Sequence, residues 1–220
     1  MTSGVRVVVL GRQGAGKGTQ CLRLSRHYVV PHISTGDMLR AAVKADTEPG
    51  RKAAEIMADG GLVPDDIMNG IVDERLTQSD TTHRGYILDG YPRTVAQAEA
   101  LAKITVARPL DLVIDLDVPR EVVVTRLASR RVCVDCGANY AVAAPPRYGW
   151  RCDNCGGEVV QRNDDTPAAI QRRLDAYEAE TAPLVSWYCE RDLLEVVDGQ
   201  GHPDEVTERL IAVVDARTAG

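Results

Sequence analysis

Val5-Arg6-Val7-Val8-Val9-Leu10-Gly11-Arg12-Gln13-Gly14-Ala15-Gly16-Lys17-Gly18-Thr19 is the stretch on which the fold turns. Val5 to Leu10 is β-branched or apolar apart from one Arg and ends at Gly11, as expected of a parallel strand covered on both faces. A helical pattern follows from Lys17. Glycines at such a strand-to-helix junction let backbone N–H groups turn onto phosphate oxygens. The helix N-terminus adds its positive end and Lys17 a point charge. The alternative is a tight glycine turn with a solvated lysine. The general motif has Ser or Thr directly after the lysine, where its hydroxyl reaches magnesium. Here Gly18 takes that place and Thr19 comes one position later, which argues against direct hydroxyl ligation of the metal.

Moving outward, Tyr86 to Asp89, Leu112 to Leu116 and Leu194 to Val197 read as further short buried strands, each followed by a turn and a helical pattern. Strands alternating with helices predict an α/β fold, a doubly wound parallel sheet of about five strands of the P-loop NTPase type. Two segments interrupt the rhythm. Residues 34–63 hold two helical stretches, Met38 to Ala45 and Gly50 to Ala58, with no strand between them, and read as a helical insertion. Val132 to Asp165 clusters Cys, Gly and Pro with little helical period and has the size of a metal-held subdomain. With 220 residues the chain can bury one substantial core, so the expected division is a core of 1–33, 64–128 and 166–220 with insertions at 34–63 and 129–165.

A net charge of −6 excludes a surface built to track nucleic-acid phosphates, so anion binding must be local. The apolar run from Met1 to Leu10 is too short for a membrane span and has no cleavage-site pattern, so the cytoplasm is the expected compartment, with no membrane partner. In that compartment Cys133-x-x-Cys136 and Cys152-x-x-Cys155, fifteen residues apart, read as a four-cysteine site for structural zinc, or iron in its place, before disulfides. Cys21 and Cys189 stand apart and are expected to be buried or inert.

Gly14-Ala15-Gly16-Lys17-Gly18-Thr19-Gln20 resembles the phosphate loop of adenylate kinases. Ile33-Ser34-Thr35-Gly36-Asp37-Met38-Leu39-Arg40 and Leu88-Asp89-Gly90-Tyr91-Pro92-Arg93-Thr94 are similar to the family's nucleoside monophosphate motifs, in the expected order. The match spans nearly the whole chain. Gln13 departs from the family's usual proline and Tyr91 from its usual phenylalanine, whose added hydroxyl needs a partner if buried.

The resemblance implies reversible, magnesium-dependent transfer of the γ-phosphoryl group of ATP to AMP, giving two ADP, by a monomer serving adenine nucleotide homeostasis and salvage. It implies that 34–63 binds the monophosphate and that the zinc-bearing segment 129–165 is a lid over ATP. On the ATP side it places Gly14 to Thr19, Arg126 near the adenine, Arg130, Asn139, Tyr140 and Gly201. On the AMP side it places Thr35, Gly36, Arg40, Gly61, Leu62, Val63, Gly90, Tyr91, Pro92, Arg93, Gln97, Arg162 and Arg173. Lys17, Arg93, Arg130, Arg162 and Arg173 are its catalytic cations; Arg131 is an ambiguous neighbour of Arg130.

The residues themselves agree with that chemistry. Phosphoryl transfer needs positioning and charge neutralisation, and a phosphate acceptor is already ionised, so no general base is required. The planar guanidinium of Arg40 or Arg93 is well shaped to fork onto a phosphate; an arginine taken singly reads more readily as a solvated helix face, and it is the motif match that reverses this. Asp89 at a strand end suits magnesium held through water, or else a turn. The amide of Gln97 can both donate to and accept from an adenine edge, and Thr35 matches the family's adenine-side threonine; a polar helix or cap residue is the other reading of each. Two rivals are a kinase for UMP, CMP or GMP, and a zinc-ribbon nucleic-acid-binding protein with a nucleotide switch.

Overall fold

The computed structural model describes residues 4–46, 48–58 and 61–219. Residues 1–3 and 220 of the expected core, and 47, 59 and 60 of the helical insertion, lie outside the described residues. The first half of the chain runs β1 (Arg6–Leu10), α1 (Lys17–Tyr28), β2 (His32–Ser34), α2 (Thr35–Lys44), α3 (Glu48–Ala58), α4 (Asp65–Leu76), α5 (Ser79–Arg84), β3 (Tyr86–Asp89) and α6 (Val95–Ile104). It continues with β4 (Leu112–Asp117), α7 (Arg120–Ser129), β5 (Arg130–Cys133), β6 (Asn139–Ala141), β7 (Val159–Val160), α8 (Pro167–Ala176), a π-helical turn (Tyr177–Thr181), α9 (Pro183–Cys189), β8 (Leu194–Asp198) and α10 (Pro203–Thr218).

A five-stranded sheet in the order β2-β3-β1-β4-β8 has all its pairs parallel, as the alternation of strands and helices predicts. The reason lies in side-chain alternation: Val7, Val9, Ile87, Leu112, Ile114 and Leu116 join one apolar cluster, and Val8, Leu10, Leu88 and Val113 the other. Each central strand is thus apolar at consecutive positions because both of its faces are covered. α1, α7, α8 and α10 contribute to the first cluster; α4, α6 and α9 to the second.

The chain leaves β1 for β2 and β3 on one side, then crosses to β4 and β8 on the other, so the order reverses beside β1. Pairing of Val9 with Asp89, Ser34 with Asp89 and Leu10 with Asp115 brings the C-terminal ends of the strands level. A crevice at such a reversal is where open α/β sheets bind ligands.

β5, β6 and β7 form a separate antiparallel sheet in the order β6-β5-β7. Its buried apolar cluster holds only Cys133, Cys152 and Val159, with Ala138 and Tyr140 packed against it. The π-helical turn has a local cause. Pro183 lacks an N–H and cannot continue α-helical bonding, and the Ala182 N–H reaches back five residues to the Tyr177 carbonyl at 2.8 Å. Among the described residues, no helix is long and apolar enough to cross a membrane. Of the two cysteines expected to be buried or inert, Cys21 is buried and Cys189 is exposed.

Candidate active site

α1 starts directly at Lys17, with Gly16 at its N-cap in the left-handed region (φ +104°). Glycine alone adopts that conformation freely and has no side chain to cap the helix, so the first-turn N–H groups are left for an anion. The Lys17 ammonium donates to the carbonyls of Gly11 at 2.7 Å and Arg12 at 3.0 Å. Burial lowers its pKa, and Asp89 only partly opposes that shift. A cation held away from water in this way gains most from an incoming phosphate.

On the neighbouring strands, Ser34 ends β2 and caps α2, its hydroxyl accepting from the Asp37 N–H at 3.3 Å. That cap sets the first turn of α2, in which Thr35 is buried and donates to the Asp89 carbonyl at 3.3 Å. Gly90 has φ +81°, and a Cβ there would stand 3.0 Å from the Thr35 hydroxyl oxygen and 3.5 Å from Arg93 Nη2. The turn therefore needs glycine twice over, for its backbone and for its neighbours. Arg93 donates through Nε to the Gly90 carbonyl at 2.9 Å, and burial lowers its pKa.

Two cavities open here. The larger is lined by Gly14, Gly16, Lys17, Gly18, Thr19, Asp89, Pro92, Arg126, Arg130, Asn139 and Tyr140 among others; the smaller by Thr35, Gly61, Leu62, Val63, Met68 and Gln97 among others. Gly36, Arg40, Gly90, Arg93, Arg162 and Arg173 line both. The two cavities are halves of one crevice, and their common wall carries four arginines. Lys17 and Arg93 both face the larger half.

Three of the residues expected to contact a nucleotide do not line either half. Ala15 is buried in the core, and only its carbonyl reaches the site's machinery, accepting from Arg126 Nη1 at 3.0 Å. Tyr91 is fully buried, its hydroxyl donating to Asn69 Oδ1 at 2.7 Å, which answers the need created by its departure from phenylalanine. Gly201 sits in the turn between β8 and α10, where a Cβ would meet Glu205 Oε2 at 2.7 Å. Arg131 turns back onto the carbonyls of Ala128 and Arg130. Tyr140 lines the larger half yet spends its hydroxyl on Cys152, donating to Sγ at 3.4 Å.

Sequence reasoning missed the acidic partners. Arg130 forks onto Asp165 at 2.7 and 2.6 Å, Arg162 onto Asp164 at 2.9 Å twice, and Arg173 reaches both carboxylates at 3.2–3.3 Å. Burial lowers the pKa of Arg162, and brings that of Arg173 to about 10. Burial would raise Asp164, but Arg162 and Arg173 overcome it and hold the carboxyl low. The Asp-Asp step two residues after Arg162 was visible and went unread. Asp65 was missed too. Gln97 donates through Nε2 to Asp65 Oδ1 at 2.6 Å, and its Oε1 accepts from the Arg93 N–H at 2.8 Å. A carboxylate can only accept and an N–H only donate, so the pair fixes which way the amide faces. The π-helical turn contributes Tyr177 and Thr181, the latter donating to the Arg93 carbonyl at 2.9 Å.

Beside the crevice, the Cys133 and Cys155 sulfurs stand 3.4 Å apart and those of Cys136 and Cys152 3.5 Å apart, all four within 4.8 Å of one another. Four sulfurs on a tetrahedral zinc with bonds of about 2.3 Å lie roughly 3.8 Å apart, so this cluster could hold such an ion with little movement. The hydroxyl of Tyr140 pulls the Cys152 thiol down to about 6, toward the thiolate a metal requires.

Residues 9–193 match the model of a family described as adenylate kinase. An adenylate kinase of Thermodesulfovibrio yellowstonii is 47% identical over 216 residues, covering 97% of this chain and 100% of that protein. One of Moorella thermoacetica is 50% identical over 198 residues, covering 89% and 91%. One of Methanosarcina acetivorans is 46% identical over 213 residues, covering 96% and 98%.

Proposed function

The chain belongs to the adenylate kinase family of phosphotransferases, and on that premise we propose how its residues divide the work. The larger half of the crevice holds ATP, the smaller half AMP, and the γ-phosphoryl group passes directly across the wall they share, giving two ADP. The observation that carries this reading is that wall: Arg40, Arg93, Arg162 and Arg173 face both halves, so one set of guanidiniums can bind the acceptor phosphate and follow the moving group.

Gly14 to Thr19 cradle the ATP phosphates, with Ala15 contributing backbone only, and Lys17 tracks the γ-phosphate. Arg126, Asn139 and Tyr140 flank the donor nucleotide. Arg40 and Arg93 fork onto the AMP phosphate, while Thr35 and Gln97 face its base along a wall of Gly61, Leu62 and Val63. Charge spreads over the transferring oxygens, and Lys17, Arg93, Arg130, Arg162 and Arg173 neutralise it without covalent help. Asp164 and Asp165 hold three of these arginines pointed at the crevice, so little reorganisation is left for the reactive complex.

Magnesium bound with ATP would supply further charge neutralisation, and we assign its holding through water to Asp89, a carboxylate at the end of β3 that lines the same half as Lys17 and Thr19. We assign residues 34–63 to AMP binding, 129–165 to a lid that excludes water, and the remainder to the core. The cysteine cluster takes zinc as a structural brace with no open position. Thiols used as metal ligands fit the reducing cytoplasm, where we infer that the chain works as a monomer.

An acceptor series tests the assignment. With Mg-ATP as donor, kcat/KM for AMP is expected to exceed that for UMP, CMP or GMP by at least about a hundredfold, because a base mismatched to the fixed Gln97 amide leaves buried polar groups unpaired. A preference for any of the other three overturns the AMP assignment.

A further inference from the structure

Behind the phosphate loop, three chemically distinct donors converge from three rigid elements: Cys21 on α1, His32 at the start of β2 and Asp89 at the end of β3. One ligand atom from each lies within 4.8 Å of the other two. His32 Nε2 stands 3.6 Å from Asp89 Oδ2, is itself buried, and has no hydrogen-bond partner. An orphaned buried ring nitrogen is costly, and one aimed at a thiol and a carboxylate is placed to take a cation.

We propose that Cys21, His32 and Asp89 form a second metal site, separate from the four-cysteine cluster, that binds zinc or a similar borderline divalent cation and inhibits the enzyme. A sulfur, an imidazole nitrogen and a carboxylate are the ligand types such ions prefer, whereas magnesium refuses thiolate and imidazole. In a tetrahedral zinc site, bonds of about 2.0–2.3 Å put neighbouring ligands roughly 3.3–3.7 Å apart, and the His32–Asp89 separation is already there. The Cys21 sulfur, within 4.8 Å of both, has to move in the rest of the way as the ion binds. Burial raises the Cys21 thiol well above its usual range, so it ligates by releasing its proton as the ion enters; thiolate and carboxylate then balance the dication. Lys17 is the nearby cation that opposes binding, but its ammonium is turned onto the Gly11 and Arg12 carbonyls.

Three protein ligands leave one position, on the crevice side that Asp89 lines. The inhibitory consequence rests on the reading of Asp89 as the magnesium-holding carboxylate: an ion bound directly to it takes that carboxylate out of use. Neither Cys21 nor His32 lines the crevice, so both can be replaced without removing a group assigned to the reaction.

The test uses the full chain with zinc already in its four-cysteine cluster, titrated with cobalt(II) alone in the absence of nucleotide, with released zinc measured to count any exchange. One cobalt per chain is expected beyond the retained zinc, with a thiolate-to-cobalt charge-transfer band. Cys21→Ala removes that band and, like His32→Gln, weakens cobalt binding by at least about tenfold while the retained zinc is unchanged. Retained zinc and an unchanged melting temperature certify that each variant is folded; if Cys21→Ala does not fold, His32→Gln decides. In assays with excess magnesium, added zinc inhibits the wild type, and both variants, with normal basal activity, need at least about tenfold more zinc. Absence of a second ion, or equal binding by wild type and both variants, overturns the proposal. A second ion that binds as expected without inhibiting overturns the inhibitory role together with the reading of Asp89, and leaves the site itself standing.

Discussion

Lys17→Met is expected to lower kcat by about 10²–10³-fold while leaving the melting temperature unchanged or slightly raised. The loss follows from removing a preorganised cation at the place where charge develops on the transferring group, for which a single donor is worth about that factor. The stability argument has the opposite sign. Burial lowers the Lys17 pKa, so the folded protein holds this charge at a cost that is present at neutral pH and relieved only as pH rises past the folded value. Methionine keeps most of the length and the apolar stem and brings no charge to bury. It leaves the Gly11 and Arg12 carbonyls without their donor, a partly offsetting loss of roughly 1 kcal/mol. Steady-state kinetics beside a thermal melt checks both halves. Near-normal turnover contradicts the assigned role, and a large drop in melting temperature shows a structural lysine instead.

Cys133→Ser, or stripping the metal with a chelator, is expected to unfold the segment 129–165 while the five-stranded core stays folded. The buried apolar cluster of that segment consists of Cys133, Cys152 and Val159, far too little to offset the chain entropy of its residues at roughly 1–2 kcal/mol each. Coordination has to supply the balance, and structural zinc sites release on the order of 10–16 kcal/mol of apparent binding free energy. Activity falls as a consequence, by at least about tenfold, because Arg130 and Arg162 lie at the segment's two ends and lose their fixed approach to the crevice. Metal content, hydrogen exchange across 129–165 and ADP formation read the three effects in one preparation. A variant that loses zinc and keeps both its protection and its rate removes the structural role given to the ion.

The part of this architecture legible in the sequence is the part where local pattern and tertiary environment agree. β1 has apolar side chains at consecutive positions because sheet alternation sends Val7 and Val9 to one core and Val8 and Leu10 to the other. In the glycine run that follows, Gly11, Gly14 and Gly16 take positive φ between a strand and a helix, a local demand that the residue type itself announces. The cysteine spacing survives because metal ligands need little else from the chain. β2 escaped notice because His32-Ile33-Ser34 is three residues long and its last residue doubles as the cap of α2. The π-helical turn is a single-residue excess in a helical pattern that periodicity alone does not register.

Within the site, the cations sit beside recognisable motifs and their carboxylate partners do not. An arginine beside a phosphate motif announces a ligand, whereas a carboxylate that orients it carries no motif: Asp164 pairs locally with Arg162, and Asp165 and Asp65 meet Arg130 and Gln97 only across the fold. Tyr91 shows the opposite error. It sits inside a ligand-binding motif yet faces the core, since adjacent residues of the Gly90-Tyr91-Pro92-Arg93 turn point to different sides. Cys21 and His32 carried no motif at all and become a candidate site only when α1, β2 and β3 are packed together.

Direct transfer across the shared arginine wall is tested most simply by mixing the purified chain with magnesium, ATP and AMP and following all three adenine nucleotides by chromatography. The expected result is two ADP formed for each ATP and each AMP consumed, with negligible loss of ATP when AMP is left out. ATP consumed at a comparable rate without AMP, or ADP formed with no loss of AMP, contradicts a crevice in which the two pockets face each other.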